Sequence, residues 1–279
     1  MLLIAATNQI FLGVDIYFAH LLSGTIVARE WIPIIFGPFA GVLLLFAGLI
    51  AIRFRTIASS LATLVMAASI LVGVLGSYFH TVRAALPAAP IGSRISVDLL
   101  IWAPPFLAPL SFAGVAILAI LAAWKESPPG SGILDFRRIN IRLPFSKTRG
   151  YLIMLSLGIL VTLISSVLDH AREGFDNIWL WLPTLIAFFT MIVALSIAFS
   201  KQQPSTADLF VYFYSQVLMV LVGLLGLWFH IQANLISENA IVVERFLRGA
   251  PFMAPLLFSN MGMIGLAILW DPSEKVSTD

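Results

Sequence analysis

The chain has 279 residues, of which 60% are apolar, 11% charged and none cysteine, whereas a soluble domain carries roughly 25% charged residues. That composition excludes a soluble enzyme, and the absence of thiols excludes disulfide exchange, iron–sulfur ligation and cysteine-bound zinc or copper. A net charge of +2, with no basic stripe or zinc-knuckle spacing, argues against nucleic acid as a partner.

Uncharged runs such as 31–52 and 57–79 reach the roughly 20 residues that a helix rising about 1.5 Å per residue needs to cross a hydrocarbon layer about 30 Å thick. Backbone groups in lipid must be satisfied internally, so runs of this length are read as helices. Taken in chain order they predict spans at 3–22, 33–52, 57–81, 100–123, 151–171, 179–199, 208–231 and 247–269. The first run lacks the Lys or Arg of a signal peptide's leading segment and is read as a retained helix. Between the fourth and fifth spans lies the most polar stretch of the chain, Lys125-Glu-Ser-Pro-Pro-Gly-Ser-Gly followed by Asp135-Phe-Arg-Arg. It reads as a linker. The expected class is therefore an all-α integral membrane protein of eight transmembrane helices, with halves at 1–124 and 151–270, a cytoplasmic linker at 125–150 and a polar tail at 271–279.

Orientation follows from the Lys and Arg count on each side. Arg53, Arg55, Lys125, Arg137, Arg138, Arg142, Lys147, Arg149, Lys201 and Lys275 fall on the side of both termini, against Arg29, Arg83, Arg94, Arg172, Arg245 and Arg248 opposite. Both termini are expected in the cytoplasm, in a prokaryotic inner membrane. Trp31, Trp102, Trp124, Trp179, Trp181 and Trp270 fall at span ends, where amphipathic rings sit among headgroups.

A shift of 150 residues lays LVGVLGSYFH at 71–80 over LVGLLGLWFH at 221–230, and His20, Gly24, Trp31 and Pro33 over His170, Gly174, Trp181 and Pro183. A shift of 146 lays PFLAPLSF at 105–112 over PFMAPLLF at 251–258. Such self-similarity predicts two four-helix bundles, and an even number of spans per half makes them parallel repeats.

The four histidines of the chain, His20, His80, His170 and His230, occupy equivalent places in the two halves, near the C-terminal ends of odd-numbered spans. They form a layer at one depth. An ionisable group in a span is a functional hypothesis by default, and imidazole is the commonest metal ligand. Two imidazoles facing one another across a bundle supply both axial ligands of a haem b, which needs no cysteine attachment. The expectation is two such haems, on His20/His80 and His170/His230. Gly73, Gly76, Gly223 and Gly226 would give room for a flat macrocycle, Tyr78-Phe79 and Trp228-Phe229 aromatic walls, and Arg83, with Arg245 and Arg248, cations for propionates. Copper is the less favoured metal, because the eight methionines form no repeated ligand series. The same pattern admits a structural reading, in which interfacial histidines hydrogen-bond carbonyls and a duplicated gene carries them along.

The proline repeats, Pro105 with Pro109 and Pro251 with Pro255, are expected to open the fourth span of each half and bend it. A functional version makes that bend a slot for a quinone head near Asn260 or Glu244. Asp15 is either a proton-handling group or a hydrogen-bonded structural acid, Asp169 an interfacial residue, and the polar atoms of Tyr212, Tyr214, Ser215 and Gln216 bonds between helices.

Eight spans in two parallel halves, each with a histidine pair about sixty residues apart, resemble the architecture of haem A synthase. The chain departs from that family where position 17 is Tyr and position 167 is Val instead of a glutamate before the histidine, in having no cysteine, and in placing its histidines on odd spans. IYFAHLLSG at 16–24 is similar to the small-residue first helix of polysulfide-reductase-type membrane subunits, which are also two bundles and oxidise quinols. The function expected is a haem b-binding electron-transfer protein, a subunit of a respiratory or quinol-linked complex with a redox partner subunit, in which the cofactor does the redox chemistry. A proton-coupled carrier or channel and a cofactor-free assembly scaffold are the alternatives.

Overall fold

The apolar runs fold as helices because lipid offers no other partner for their amides. The computed structural model describes the chain except residues 23, 25, 138, 173, 236–240 and 271–279. The polar tail and the cations Arg138 and Lys275 of the charge count thus lie outside the described residues. The elements are α1 (Leu2–Leu22), α2 (Trp31–Ile50), α3 (Arg55–Ala84), α4 (Val97–Trp102), α5 (Leu110–Ala123), β1 (Lys125–Glu126), β2 (Ile133–Phe136), β3 (Ile139–Arg142), α6 (Lys147–Ala171), α7 (Trp181–Phe199), α8 (Thr206–Asn234), α9 (Val243–Arg248) and α10 (Leu256–Ile268). Among the described residues, six helices are long and apolar enough to cross a membrane: α1, α2, α3, α6, α7 and α8.

The two remaining expected spans are each split. The run 100–123 becomes α4 and α5, and the run 247–269 becomes α9 and α10. Proline chemistry explains the break. Neither Pro104 nor Pro105 has an amide hydrogen to donate, and a residue that precedes proline is pushed to extended backbone; Ala103 sits at φ −75°, ψ 166°. In the second half Gly249 leaves the helical region at φ −91°, ψ −145°. Pro109 and Pro255 do not bend a continuous helix. They stand immediately before the first residues of α5 and α10, where a missing donor costs nothing. The resulting helices rise only about 21 and 20 Å, short of the roughly 30 Å hydrocarbon layer.

α1, α2, α3 and α5 pack in a closed ring, and so do α6, α7, α8 and α10. Between the rings α5 meets α6, while α9 packs on α1 and α4 on α6, so each short helix leans on the first long helix of the other ring. Side-chain hydroxyls tie the helices where apolar surface alone would let them slide. Gln9 donates to Ser69 Oγ (2.7 Å) and Ser69 to Phe112 O (3.0 Å), joining α1, α3 and α5. Ser259 donates to Val220 O (2.8 Å) and Tyr212 to Gly265 O (2.9 Å), joining α8 to α10. Of the polar cluster at 212–216, Tyr212 thus bonds between helices as expected, whereas Ser215 donates within its own helix to Tyr212 O.

The linker is not a loop, and the purely helical expectation is corrected there. β1, β2 and β3 form an antiparallel sheet in that order, with Lys125 opposite Asp135 and Ile133 opposite Arg142. Gly132 makes the turn at φ +72°, with the carbonyl of Phe145 where a Cβ would stand, so only glycine fits. Buried Glu126 accepts from Gly132 N (2.7 Å) and Lys147 N (3.0 Å), and Lys147 Nζ donates to Trp124 O (3.0 Å). Trp124 stacks on Phe136 at 5.1 Å and donates to Thr63 Oγ1 (2.9 Å). The sheet is thereby pinned to α3 and α6.

Removing Glu126 leaves two buried amides without an acceptor, at about 3 kcal/mol for hydrogen bonds to a charged group. Glu126→Ala is expected to melt several degrees below the parent in detergent, with Glu126→Gln between the two. Equal melting temperatures would show that this carboxylate does not hold the linker.

Candidate functional site

α1 and α3 bring their C-terminal ends to the same end of the molecule, and with them His20 and His80, whose ring centroids lie 6.1 Å apart at an interplanar angle of 64°. All four histidines are half-buried. His80 Nδ1 donates to Pro105 O (3.0 Å), His230 Nδ1 to Pro251 O (3.0 Å) and His20 Nδ1 to Ile16 O (2.9 Å). A carbonyl can only accept, so in each of these rings Nδ1 carries a hydrogen, and the neutral ring then has its lone pair at Nε2.

The proline motif supplies this anchor. Because the helix does not start until residue 110, Pro105 O is a carbonyl outside a helix, accepting from Ala108 N (3.2 Å) through one lone pair and from His80 through the other. Pro251 O does the same with Ala254 N (3.0 Å) and His230. The next carbonyl, Phe106 O, takes Ser77 Oγ (2.8 Å). In the second half Asn234 clamps Ala250 from both sides, accepting from its N (2.9 Å) and donating to its O (2.8 Å). That histidines bond carbonyls was the structural reading of the pattern, and His20, His80 and His230 do so; the proline partner and the Asn234 clamp were not foreseen, although histidine and proline motif recurring together in both halves was a visible signal.

The surroundings of the histidines differ between halves. His170 meets Phe175 edge-on at 6.1 Å, and Phe175 packs on Trp181 at 4.7 Å; position 25, equivalent to 175, is Thr. Asp169 lies in Coulombic reach of His170, His230 and Arg172, and pairs with Arg172 at 3.6 Å. Arg172 in turn donates to Ile101 O (2.7 Å) and Ala103 O (3.4 Å), which ties the end of α6 to the break between α4 and α5. Asp15 is half-buried in α1, one turn before Phe18, whose ring meets Phe252 of the other half at 6.4 Å.

The residues expected around the histidines are placed otherwise. Gly73 and Gly76 face the start of α5, where added Cβ atoms would stand 2.9 Å from Pro109 O and 2.8 Å from Pro109 Cβ. Gly223 and Gly226 face Pro255 in the same way. The space these four glycines provide is filled by the neighbouring helix, not kept for a macrocycle: they let α3 and α8 approach the fourth segment closely enough for His80 and His230 to reach its carbonyl. Tyr78 and Trp228 are 62% and 57% exposed, so they point outward and form no wall. Arg83 reaches Glu30 at 3.9 Å, Arg245 donates to Ala233 O (3.0 Å), and Arg248 pairs with Glu244 at 2.6 Å, which commits the carboxylate once placed at a quinone slot.

Among the described residues no group of three or more His, Asp or Glu side chains is arranged to hold a metal ion. What the fold assembles is a pair of imidazoles. Comparison with known protein families, with characterised proteins and with solved structures returned no match.

The Asn234 clamp holds Ala250, next to the Pro251 carbonyl that takes His230, and its two part-buried hydrogen bonds stabilise the turn by about 2 kcal/mol. Asn234→Ala is expected to lower the melting temperature, and Asn234→Asp, which keeps the acceptor alone, to lower it less. An Ala variant that melts with the parent would remove the clamp from this account.

Proposed function

We propose that the chain is a haem b-binding electron-transfer protein of a prokaryotic inner membrane, working as a subunit of a respiratory or quinol-linked complex. In this reading the two helix rings are parallel-repeat bundles, the split fourth segments complete eight crossings, and both termini and the linker are cytoplasmic, in keeping with the excess of cations on that side. His20 with His80, and His170 with His230, would hold the two haems.

The observation that carries the reading is the separation of His20 from His80. A metal held between two imidazoles by bonds of about 2 Å, with ring radii of about 1.1 Å from bonds of about 1.33 Å, would put the ring centroids at most about 6.2 Å apart. The rings stand 6.1 Å apart. Support comes also from the anchors, since a metal-bound histidine gives its other ring N–H to a carbonyl or carboxylate that fixes tautomer and orientation. His20, His80 and His230 all do so. Pairs favour haem over copper, because a bare ion on two imidazoles lacks ligands that a porphyrin brings with it.

When bound, the haem supplies one-electron chemistry. The chain's own part is to hold Nε2 of each ring on target through Nδ1 and to keep the two pairs at one depth. With both pairs at one depth, electrons would pass laterally or to a partner at the histidine face, and not across the bilayer. The carrier alternative gains from the interrupted helices at matching places in both halves. Those breaks, however, lie level with the last turns of α3 and α8, at headgroup depth, whereas carrier sites of that kind lie at the midplane.

Purified protein is expected to show sharp α-bands in a reduced-minus-oxidised spectrum, with haem content halved in His80→Ala and abolished when His230→Ala is added. Colourless protein recovered from haem-replete cells, with clean metal analysis, would contradict the proposal and leave a carrier or scaffold.

A further inference from the structure

We propose that a cavity at the linker end of the second half binds the phosphate-bearing headgroup of an anionic phospholipid. The cavity measures about 730 Å³, within the usual range for ligand sites. It opens between the linker, the start of α6, the connection from α7 to α8, and the end of α10. This inference is independent of the histidines, which lie at the opposite end.

Its rim carries Arg142 from the end of β3, Arg149 from the first turn of α6, and Gln202 and Gln203 from the α7–α8 connection. Among the described residues no Asp or Glu lines the cavity, while two arginines do. Arg149 is steered there by a bond from Nη2 to Ser200 O (2.6 Å), which uses one of the five N–H donors of a guanidinium. A phosphate oxygen pair is the natural acceptor for such a fork.

The floor selects a lipid over a soluble phosphate. Leu152, Ile197, Leu209 and Ile268 line it, from the ends of α6, α7, α8 and α10, with Leu152 and Ile268 buried and Leu209 41% exposed. In the proposed complex the anionic group lies on the arginines and the acyl chains leave past Leu209, the exposed member of the floor. That is the geometry of a phospholipid in the leaflet at this end, and polybasic surfaces of this kind attract anionic lipids.

The test is titration of delipidated protein in a neutral detergent, read by thermal shift and by native mass spectrometry. Phosphatidylglycerol is expected to bind saturably and raise the melting temperature, while phosphatidylcholine of the same chains and soluble glycerol phosphate do not. Each arginine is worth about fivefold in affinity, so Arg142→Glu and Arg149→Gln should each weaken binding at least that much. Arg149→Gln also removes the Ser200 bond; Arg142 is exposed, so Arg142→Glu leaves the fold intact and keeps the test decisive. Arg53→Gln, an exposed cation outside the cavity, should bind as the parent does. Equal shifts from phosphatidylcholine, undiminished binding in Arg142→Glu, an equal loss in Arg53→Gln, or a full shift from glycerol phosphate alone would each overturn the proposal.

Discussion

A carbonyl that a proline-interrupted helix leaves without an intrahelical partner must find a donor at the edge of the membrane. Pro105 O and Pro251 O are two such groups, and in both halves the donor is the Nδ1–H of a histidine four residues from the end of a long helix. Each carbonyl already accepts one backbone N–H, from Ala108 or Ala254, and the imidazole fills its second lone pair, a bond worth about 1 kcal/mol. The consequence is chemical. A ring that gives its hydrogen at Nδ1 presents a lone pair at Nε2, and the fold does this at matching places in the two halves. The carbonyl-bonding role and the ligand role of the histidines are therefore two ends of one ring, not competing explanations. Close approach makes the bond possible: Gly73 with Gly76, and Gly223 with Gly226, let the long helices sit directly on Pro109 and Pro255.

Hydropathy made the six long helices legible, since an uncharged run of twenty residues has one stable form in lipid. It could not see the interruptions, because proline and alanine are equally permitted by an apolar window while only one of them lacks a donor. The Pro104-Pro105 pair and the matching Gly249 carried that information. The linker was misread for the opposite reason: Ser-Pro-Pro-Gly-Ser-Gly looks like solvated chain, yet the glycines turn it and Ile133, Ile139 and Ile141 alternate as a strand pair does. The contact that holds the sheet, Glu126 on Lys147 N, spans 21 residues and had no local signature.

The meeting of His20 with His80 was legible from their spacing of sixty residues on alternate helices. Which other side chains stand beside them was not. The four glycines were correctly singled out and given the wrong neighbour, since one glycine stripe suits a macrocycle and a helix equally. Arg83, Arg245 and Arg248 lie at the histidine end but are turned to Glu30, Ala233 O and Glu244, partners that come from the turns of the chain and not from its spacing. The ring separation of 6.1 Å depends on how α1 and α3 pack, and no reading of one helix at a time delivers it.

The most direct test of the anchored-imidazole account is the tautomer of the histidines. Selective ¹⁵N labelling of the imidazoles, with magnetic resonance of the haem-free protein above the titration range, reports which ring nitrogen carries hydrogen. The account predicts Nδ1–H for His20, His80 and His230. An Nε2–H tautomer at His80 and His230 would mean that the proline carbonyls do not hold these rings, and that no lone pair is presented for a metal.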